Sequence, residues 1–326
     1  VPAFRQWFPL RNSPFGIRMK LGHLSDLHIL DVDFSDLRPS DFFNKRLLGG
    51  ANLLLNRSHD HSTDVVREAF RRLDDHLVDH IAVTGDLTNL ALDSEFESVA
   101  RILREVPSHE SRISVVPGNH DYYTPDAADT GRFERHFAPY LRSDLAEYQL
   151  ETGYPFCKLM DDVALVGLNS GIATPWFFAT GEVRRAELRS ARALLDDPEI
   201  KQRFSVVMIH HHLVPFEHSR IEYTRRLVNA EDVLQMLREK CVDLAIHGHN
   251  HHFATIEIPH TGGPGRLRIC EAGSTSLSEY SDPKFGGKYN VYHIVEGQLD
   301  KIETHLYEGS EDGFVHWREH TFEKEI

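Results

Sequence analysis

Past residue 17 the chain alternates short apolar runs with stretches whose apolar residues recur at three- and four-residue spacing. The runs Ile17–Leu24, His80–Val83 and Ile113–Val116 predict strands. Helical spacing over Thr63–Leu77, with Thr63 as N-cap, and over Asp93–Arg104 fills the gaps between them. Val163–Leu168, Phe204–Ile209 and Val242–Ile246 predict buried strands, with helices near Glu182–Leu195 and Ala230–Glu239. After residue 252 only strands are expected: Phe253–Ile258, Leu267–Cys270, Tyr289–Val295 and Lys301–Leu306. Helix-connected strands followed by a strand-rich tail predict an α/β fold of two packed sheets flanked by helices, in one domain over 19–326. No internal repeat or low-complexity linker interrupts it.

One segment breaks the alternation. The connection 29–62 is far longer than an ordinary strand-to-helix loop, and loops of that length tend to be lids or binding elements. It carries Phe42, Phe43, Leu47, Leu48, Leu53, Leu54 and Leu55 with Lys45, Arg46 and Arg57 between them. Phe43, Leu47, Ala51 and Leu54 stand at helical spacing, which fits an extra helix packed on the domain. The competing expectation is that 41–57 forms a wall or lid of a substrate entrance. Residues 1–18 form a basic aromatic arm, with Arg5, Arg11 and Arg18 among Phe4, Trp7, Phe8 and Phe15. Such an arm packs on the domain or lies at a membrane surface; a third reading takes Met19 as the natural start.

Charge and cysteine content narrow the function. A formal net charge of −14 argues against a nucleic-acid partner, whose phosphates need a basic surface. Cys157, Cys241 and Cys270 show no C-x-x-C spacing, which removes a disulfide framework and a thiolate zinc site together. No apolar run approaches the ~18 residues of a membrane-spanning helix, and no secretory-signal pattern is seen. A cytoplasmic protein is expected, with peripheral membrane contact through 1–18 and 41–57 as a further expectation. Histidine is the outlier, with 22 in the chain and many grouped beside Asp, Asn and Gly.

Those groups form five short motifs at or just after predicted strand ends: Asp26-Leu27-His28, Gly85-Asp86-Leu87-Thr88-Asn89, Gly118-Asn119-His120-Asp121, His210-His211-His212 and Gly248-His249-Asn250-His251. In open α/β sheets ligands bind at the carboxyl ends of strands, so all five can converge on one crevice. Carboxylate, amide oxygen and imidazole, with no sulfur, suit first-row divalent ions. Asp26 and His28 alternate, as do His249 and His251, so in extended backbone each pair points to one side. Alone, either pair could be a hydrogen-bonded core pair; five motifs in this order are harder to explain that way.

The ordered set D-x-H, G-D, G-N-H-D, H and G-H-x-H resembles the calcineurin-like metallophosphoesterase superfamily over Met19 to Gly273, and takes in Ala272-Gly273-Ser274, a turn often seen after the last motif. The resemblance implies a four-layer αββα sandwich of two mixed β-sheets between helical layers. It further implies two divalent metal ions (Mn, Fe or Zn), the first held by Asp26, His28 and His251, with Asp86 bridging to a second completed by Asn119, His210 and His249. His120 would be the acid or charge stabiliser at the departing oxygen, and Asp121 would orient it. His211 is the competitor to His210 as ligand; with His212 it also suits the substrate mouth. His23, His247 and His252 read as packing or hydrogen-bonding neighbours. His59 and His61 read as solvent-exposed, and His76, His80, His109 and His136 as structural or surface groups.

The second motif lacks the G-D-x-V-D-R-G pattern of protein Ser/Thr phosphatases, and the third has Asp121 where those enzymes have Glu. Both point towards a small-molecule phosphodiester. The alternative is a pyrophosphatase on a lipid-linked nucleotide sugar, similar to UDP-diacylglucosamine hydrolases, which the apolar insertion and basic arm would suit. A non-catalytic scaffold is the reading from another class, and it is disfavoured because no ligand position is lost.

Overall fold

The parallel order of β1 (Arg18–Leu24), β2 (His80–Val83) and β3 (Ile113–Val115) sets the geometry of the molecule, because it brings three strand ends to one side. The computed structural model describes residues 18–31, 61–175, 177–215, 220–278, 280 and 282–322. The predicted arm and lid, including 41–57, therefore lie outside the described residues apart from the ends of their segments.

Six strands build the first sheet in the order β12-β11-β10-β1-β2-β3. Here β10 (Lys288–Val295) runs antiparallel to β1, and β11 (Gln298–Tyr307) and β12 (Phe314–Thr321) continue as an antiparallel meander. The second sheet also has six strands: β4 (Phe156–Met160), β5 (Val163–Gly167), β6 (Phe204–Met208), β7 (Leu244–His247), β9 (Arg266–Glu271) and, at the edge, β8 (Ala254–Pro259). Strands β5, β6, β7 and β9 are parallel, and antiparallel β4 and β8 close the two edges. Both sheets are mixed, as expected. The strand-rich tail divides between them, β8 and β9 joining one sheet and β10 to β12 the other.

Side-chain alternation explains the layering. Val206, Met208, Leu244 and Ile246 join the apolar cluster of the first sheet, whereas Val207, Ile209 and Ala245 join a second cluster. Helices α1 (Thr63–Asp75) and α2 (Asp93–Glu105) bury Val66, Phe70, Phe96 and Val99 in the first cluster. Helices α3 (Arg185–Leu194) and α4 (Ala230–Glu239) bury Leu194, Val233 and Leu237 in the second. A sheet covered on both faces needs strands that are apolar on both sides, which is why β5, β6 and β7 read as near-continuous apolar runs broken only by Ser205 and His247. No described helix is long and apolar enough to cross a membrane.

The start of α1 differs from expectation. Thr63 is its first helical residue and Ser62 the cap, without a side-chain cap bond; the Ser62 N–H donates instead to the Ser276 carbonyl at 2.8 Å. Strands β4 and β12 also lie outside the sequence prediction.

Candidate metal centre

The turns leaving β1, β2 and β3 in one sheet and β6 and β7 in the other meet at a single polar cluster. Two contacts pin the sheets together there: the His249 N–H donates to Asp26 Oδ2 at 3.0 Å, and His210 Nδ1 lies 2.7 Å from the Thr84 carbonyl. The backbone does not reach this point by extension. Asp26, His28, Asp86, His249 and His251 have φ of 52, 45, 52, 82 and 61°, in the left-handed region that few non-glycine residues adopt. The alternation expected for Asp26-x-His28 and His249-x-His251 is therefore wrong as a mechanism, although both pairs do converge. Each such residue costs about 1–2 kcal/mol, and neighbouring bonds hold the geometry: Asp26 N–H to Gly85 O at 3.0 Å and His28 N–H to Asp86 O at 2.9 Å. Motif glycines give the carboxylates room. A Cβ on Gly118 would stand 2.1 Å from Asp86 Oδ1, and one on Gly248 would stand 2.3 Å from Asp26 Oδ2.

Hydrogen-bond partners fix the tautomers. The Thr84 carbonyl requires a proton on His210 Nδ1, and the Arg225 carbonyl, 2.9 Å from His249 Nε2, requires one there. In the neutral rings, His210 Nε2 and His249 Nδ1 then hold lone pairs, and they face each other at 3.2 Å. Asn119 Oδ1 lies 3.3 Å and Asp86 Oδ2 3.4 Å from the same His210 nitrogen. A second knot repeats the pattern: His28 Nε2 and His251 Nε2 are 3.2 Å apart, with Asp26 Oδ1 3.2 Å from the latter, buried and without a hydrogen bond. Asp86 Oδ1 is taken by the His120 N–H at 2.8 Å, so Oδ2 is the oxygen left between His28, at 3.9 Å, and His210.

Acceptors crowded in this way need a positive charge among them. Burial opposes a charge on His210, but Asp86 overcomes it and pushes the imidazole up to about 9. Burial likewise opposes the Asp86 carboxylate, and His210 and His120 hold it below its ordinary range. His249 is driven far down by burial and by His211 and His210, which keeps it neutral and able to act as a ligand. Among the described residues, three groups of donor atoms lie within 4.8 Å of one another: Asp26, His28 and His251; His28, Asp86 and His120; Asp86, His210 and His249. The donor set therefore fits two divalent cations sharing Asp86.

A family profile described as calcineurin-like phosphoesterase matches residues 19–253. The chain belongs to the calcineurin-like phosphoesterase family. Among solved structures, this phosphoesterase is similar to a dimetal phosphatase from Danio rerio, with 14% identity and a TM-score of 0.59 over 93% of this chain and 98% of that one. It is also similar to a purple acid phosphatase from yellow lupin, with 12% identity and a TM-score of 0.57 over 93% of this chain and 53% of that one. At these identities the likeness shows the fold. No curated protein matches the sequence.

Within the phosphoesterase, the structure separates the adjacent histidines. His211 has both ring nitrogens engaged away from the cluster, Nδ1 with Ser170 Oγ at 2.8 Å and Nε2 with the Ala179 carbonyl at 3.2 Å. His212 Nε2 pairs with Glu222 at 2.6 Å. Asp121 does not do what the resemblance assigns. Its carboxylate accepts from the Gly118, Leu87 and Thr88 N–H groups and the Thr88 hydroxyl, at 2.9–3.2 Å, so it braces two turns. What holds the His120 ring is the Asn89 carbonyl, 2.7 Å from Nδ1. The Ala272-Gly273-Ser274 turn has a structural role, since Ser274 Oγ donates to the Asp26 carbonyl at 2.8 Å.

A cavity of about 120 Å³ opens over the cluster, and its lining adds Ala179, Arg225 and Asn250 to the expected residues. No motif marks Arg225; it reaches the mouth on the short helix Arg220–Arg225. His61, expected in solvent, is instead half-buried, its ring 4.8 Å from that of His28.

Proposed function

We propose that this phosphoesterase hydrolyses a small-molecule phosphodiester with two divalent cations. Asp26, His28, His251 and Asp86 would hold one, and Asp86, Asn119, His210 and His249 the other. When bound, such a pair supplies positive charge to the phosphoryl oxygens and acidifies water, towards a pKa of ~7. The observation that carries this reading is the convergence of lone pairs around Asp86 Oδ2, with the His210 and His249 tautomers fixed from behind by backbone carbonyls. His120 stands at the edge of the cluster with Nδ1 committed to Asn89, so Nε2 is the atom that passes a proton to the departing alkoxide. Asn89 is itself tied to the His28 carbonyl through Nδ2 at 2.5 Å, which couples the proton donor to a candidate ligand. The Thr88-Asn89 end of the second motif, in place of the pattern of protein phosphatases, supports a small diester over a phosphoprotein.

Reconstitution of stripped protein with Mn²⁺ and a substrate panel tests the proposal. Two metals per chain and faster turnover of bis-p-nitrophenyl phosphate or a cyclic nucleotide than of p-nitrophenyl phosphate are expected. Asp86→Asn, which removes the shared charge, should lose both metals and turnover. Preference for the monoester would overturn the diester reading, and less than one metal per chain would favour a scaffold. Including UDP-diacylglucosamine addresses the lipid-linked alternative and its membrane contact, whose motivating segments 1–18 and 41–57 lie almost entirely outside the described residues.

A further inference from the structure

The turn that carries His249 and His251 leaves β7 and returns as β8, and these strands are not neighbours, because β9 lies between them. Glu271, the last residue of β9, pairs with His247 at the end of β7 on one side and with Ala254 at the start of β8 on the other. The turn 248–253 therefore arches over the end of β9, where Glu271 stands. Its side chain is fully buried, and Oε1 accepts from the Asn250 N–H at 3.0 Å and from the His252 N–H at 3.3 Å. Oε2 has no hydrogen bond among the described residues, so the side chain acts on the turn through Oε1.

One oxygen shared by these two amides constrains the residue between them. In an extended strand N–H groups two residues apart stand about 6.6 Å from each other, too far for one acceptor. The shared oxygen holds the main chain curled at His251, where φ is 61°, the kind of turn in which nearby N–H groups cup an anion. The two histidines of the turn are secured differently. His249 has ties of its own: its N–H donates to Asp26 Oδ2 at 3.0 Å, its Nε2 lies 2.9 Å from the Arg225 carbonyl, and the Gly248 N–H donates to the His210 carbonyl at 3.1 Å. Among the described residues the main chain of His251 makes no hydrogen bond of its own. Its Nε2 meets groups that would share its cation, Asp26 Oδ1 and His28 Nε2, both at 3.2 Å.

We propose that Glu271 is a positioning residue for one of the two cations: by holding the Asn250 and His252 amides it fixes the His251 backbone and aims that ring at Asp26 and His28, while the site of His210 and His249 does not depend on it. The inference rests on the two-cation reading and deepens it. Two conservative variants separate reach from charge. Glu271→Asp keeps a carboxylate but withdraws it by one methylene, and Glu271→Gln keeps the reach and the accepting oxygen but loses the charge. Mn²⁺ is titrated into stripped protein by calorimetry, the coupled Mn²⁺ pair is followed by electron paramagnetic resonance, and melting of the metal-free protein is recorded. His251→Ala and His249→Ala serve as references for loss of each site. Glu271→Asp should bind one Mn²⁺ about 10–100-fold more weakly and keep the other, with the pattern of His251→Ala. Its coupled-pair signal should be missing at Mn²⁺ levels that saturate wild type, and Glu271→Gln should stay close to wild type. Wild-type binding of both ions by Glu271→Asp, equal weakening of both sites, or a metal-free variant that does not fold would each leave Glu271 a structural role alone and overturn the proposal, as would loss of an ion in Glu271→Gln. Wild-type protein that binds fewer than two Mn²⁺ would instead remove the two-cation reading beneath it.

Discussion

One oxygen, Asp86 Oδ2, faces both halves of the centre, and its partner oxygen is spent on the His120 amide. Neighbouring side chains divide their work as sharply. For His210→Ala we expect loss of one of two metals, whereas His211→Ala keeps both, because its nitrogens serve Ser170 and Ala179; metal analysis of the two variants checks this. For His120→Ala the expected drop in kcat is ~10²–10⁴-fold for an alkyl ester. The deficit should shrink for p-nitrophenyl esters, whose leaving group needs no proton, and parallel kinetics on the two esters measure it. At this scale the sequence shows residue types and order clearly, since five motifs carry nearly all the polar groups of the cluster. It does not show how they converge. Left-handed backbone at Asp26 and His28 is set by bonds to Gly85 and Asp86, some sixty residues away. Arg225 and His61 stand in no motif, and only tertiary packing brings them to the site.

At the scale of elements, the buried strands β5, β6 and β7 were legible because both faces are covered and all their residues but Ser205 and His247 are apolar or glycine. Strands β4 and β12 were not, and each is the outermost strand of its sheet. In β12 only Phe314 is buried, so the run Phe314–Thr321 carries almost no hydrophobic signal and is held by pairing with β11. The turn after β3 shows how tightly an element end can be specified. Gly118 fits where a methyl group would meet Asp86 Oδ1, so Gly118→Ala should displace the carboxylate while leaving the sheets intact. We expect weaker metal binding in titration calorimetry with little change in circular dichroism; retained affinity would mean that the turn yields.

For the molecule as a whole, a buried neutral histidine away from the centre gives a pH dependence. His80, at the start of β2, bonds to Ser114 at 2.9 Å; burial, with Lys158 nearby, depresses its pKa from 6.5 to about 3. As pH falls below 6.5 the unfolded chain takes up this proton and the folded protein does not, until about pH 3. Stability from this group is thus fully present above pH 6.5 and falls on acidification, by up to about 1.4 kcal/mol per pH unit. His80→Asn should lose less stability than wild type between pH 7 and pH 5, as read from denaturant midpoints.

The donors of the centre come from two separate stretches of chain, 26–119 from the first sheet and 210–251 from the second. Cations shared between them act as a cross-link that closes a loop of roughly a hundred residues or more. In the unfolded ensemble that closure is absent, so ligation couples two sheets that otherwise touch at this end through a few polar contacts. Amide exchange should report it: without cations the turns after β1 and β7 open on their own, and with cations they open only when both sheets do.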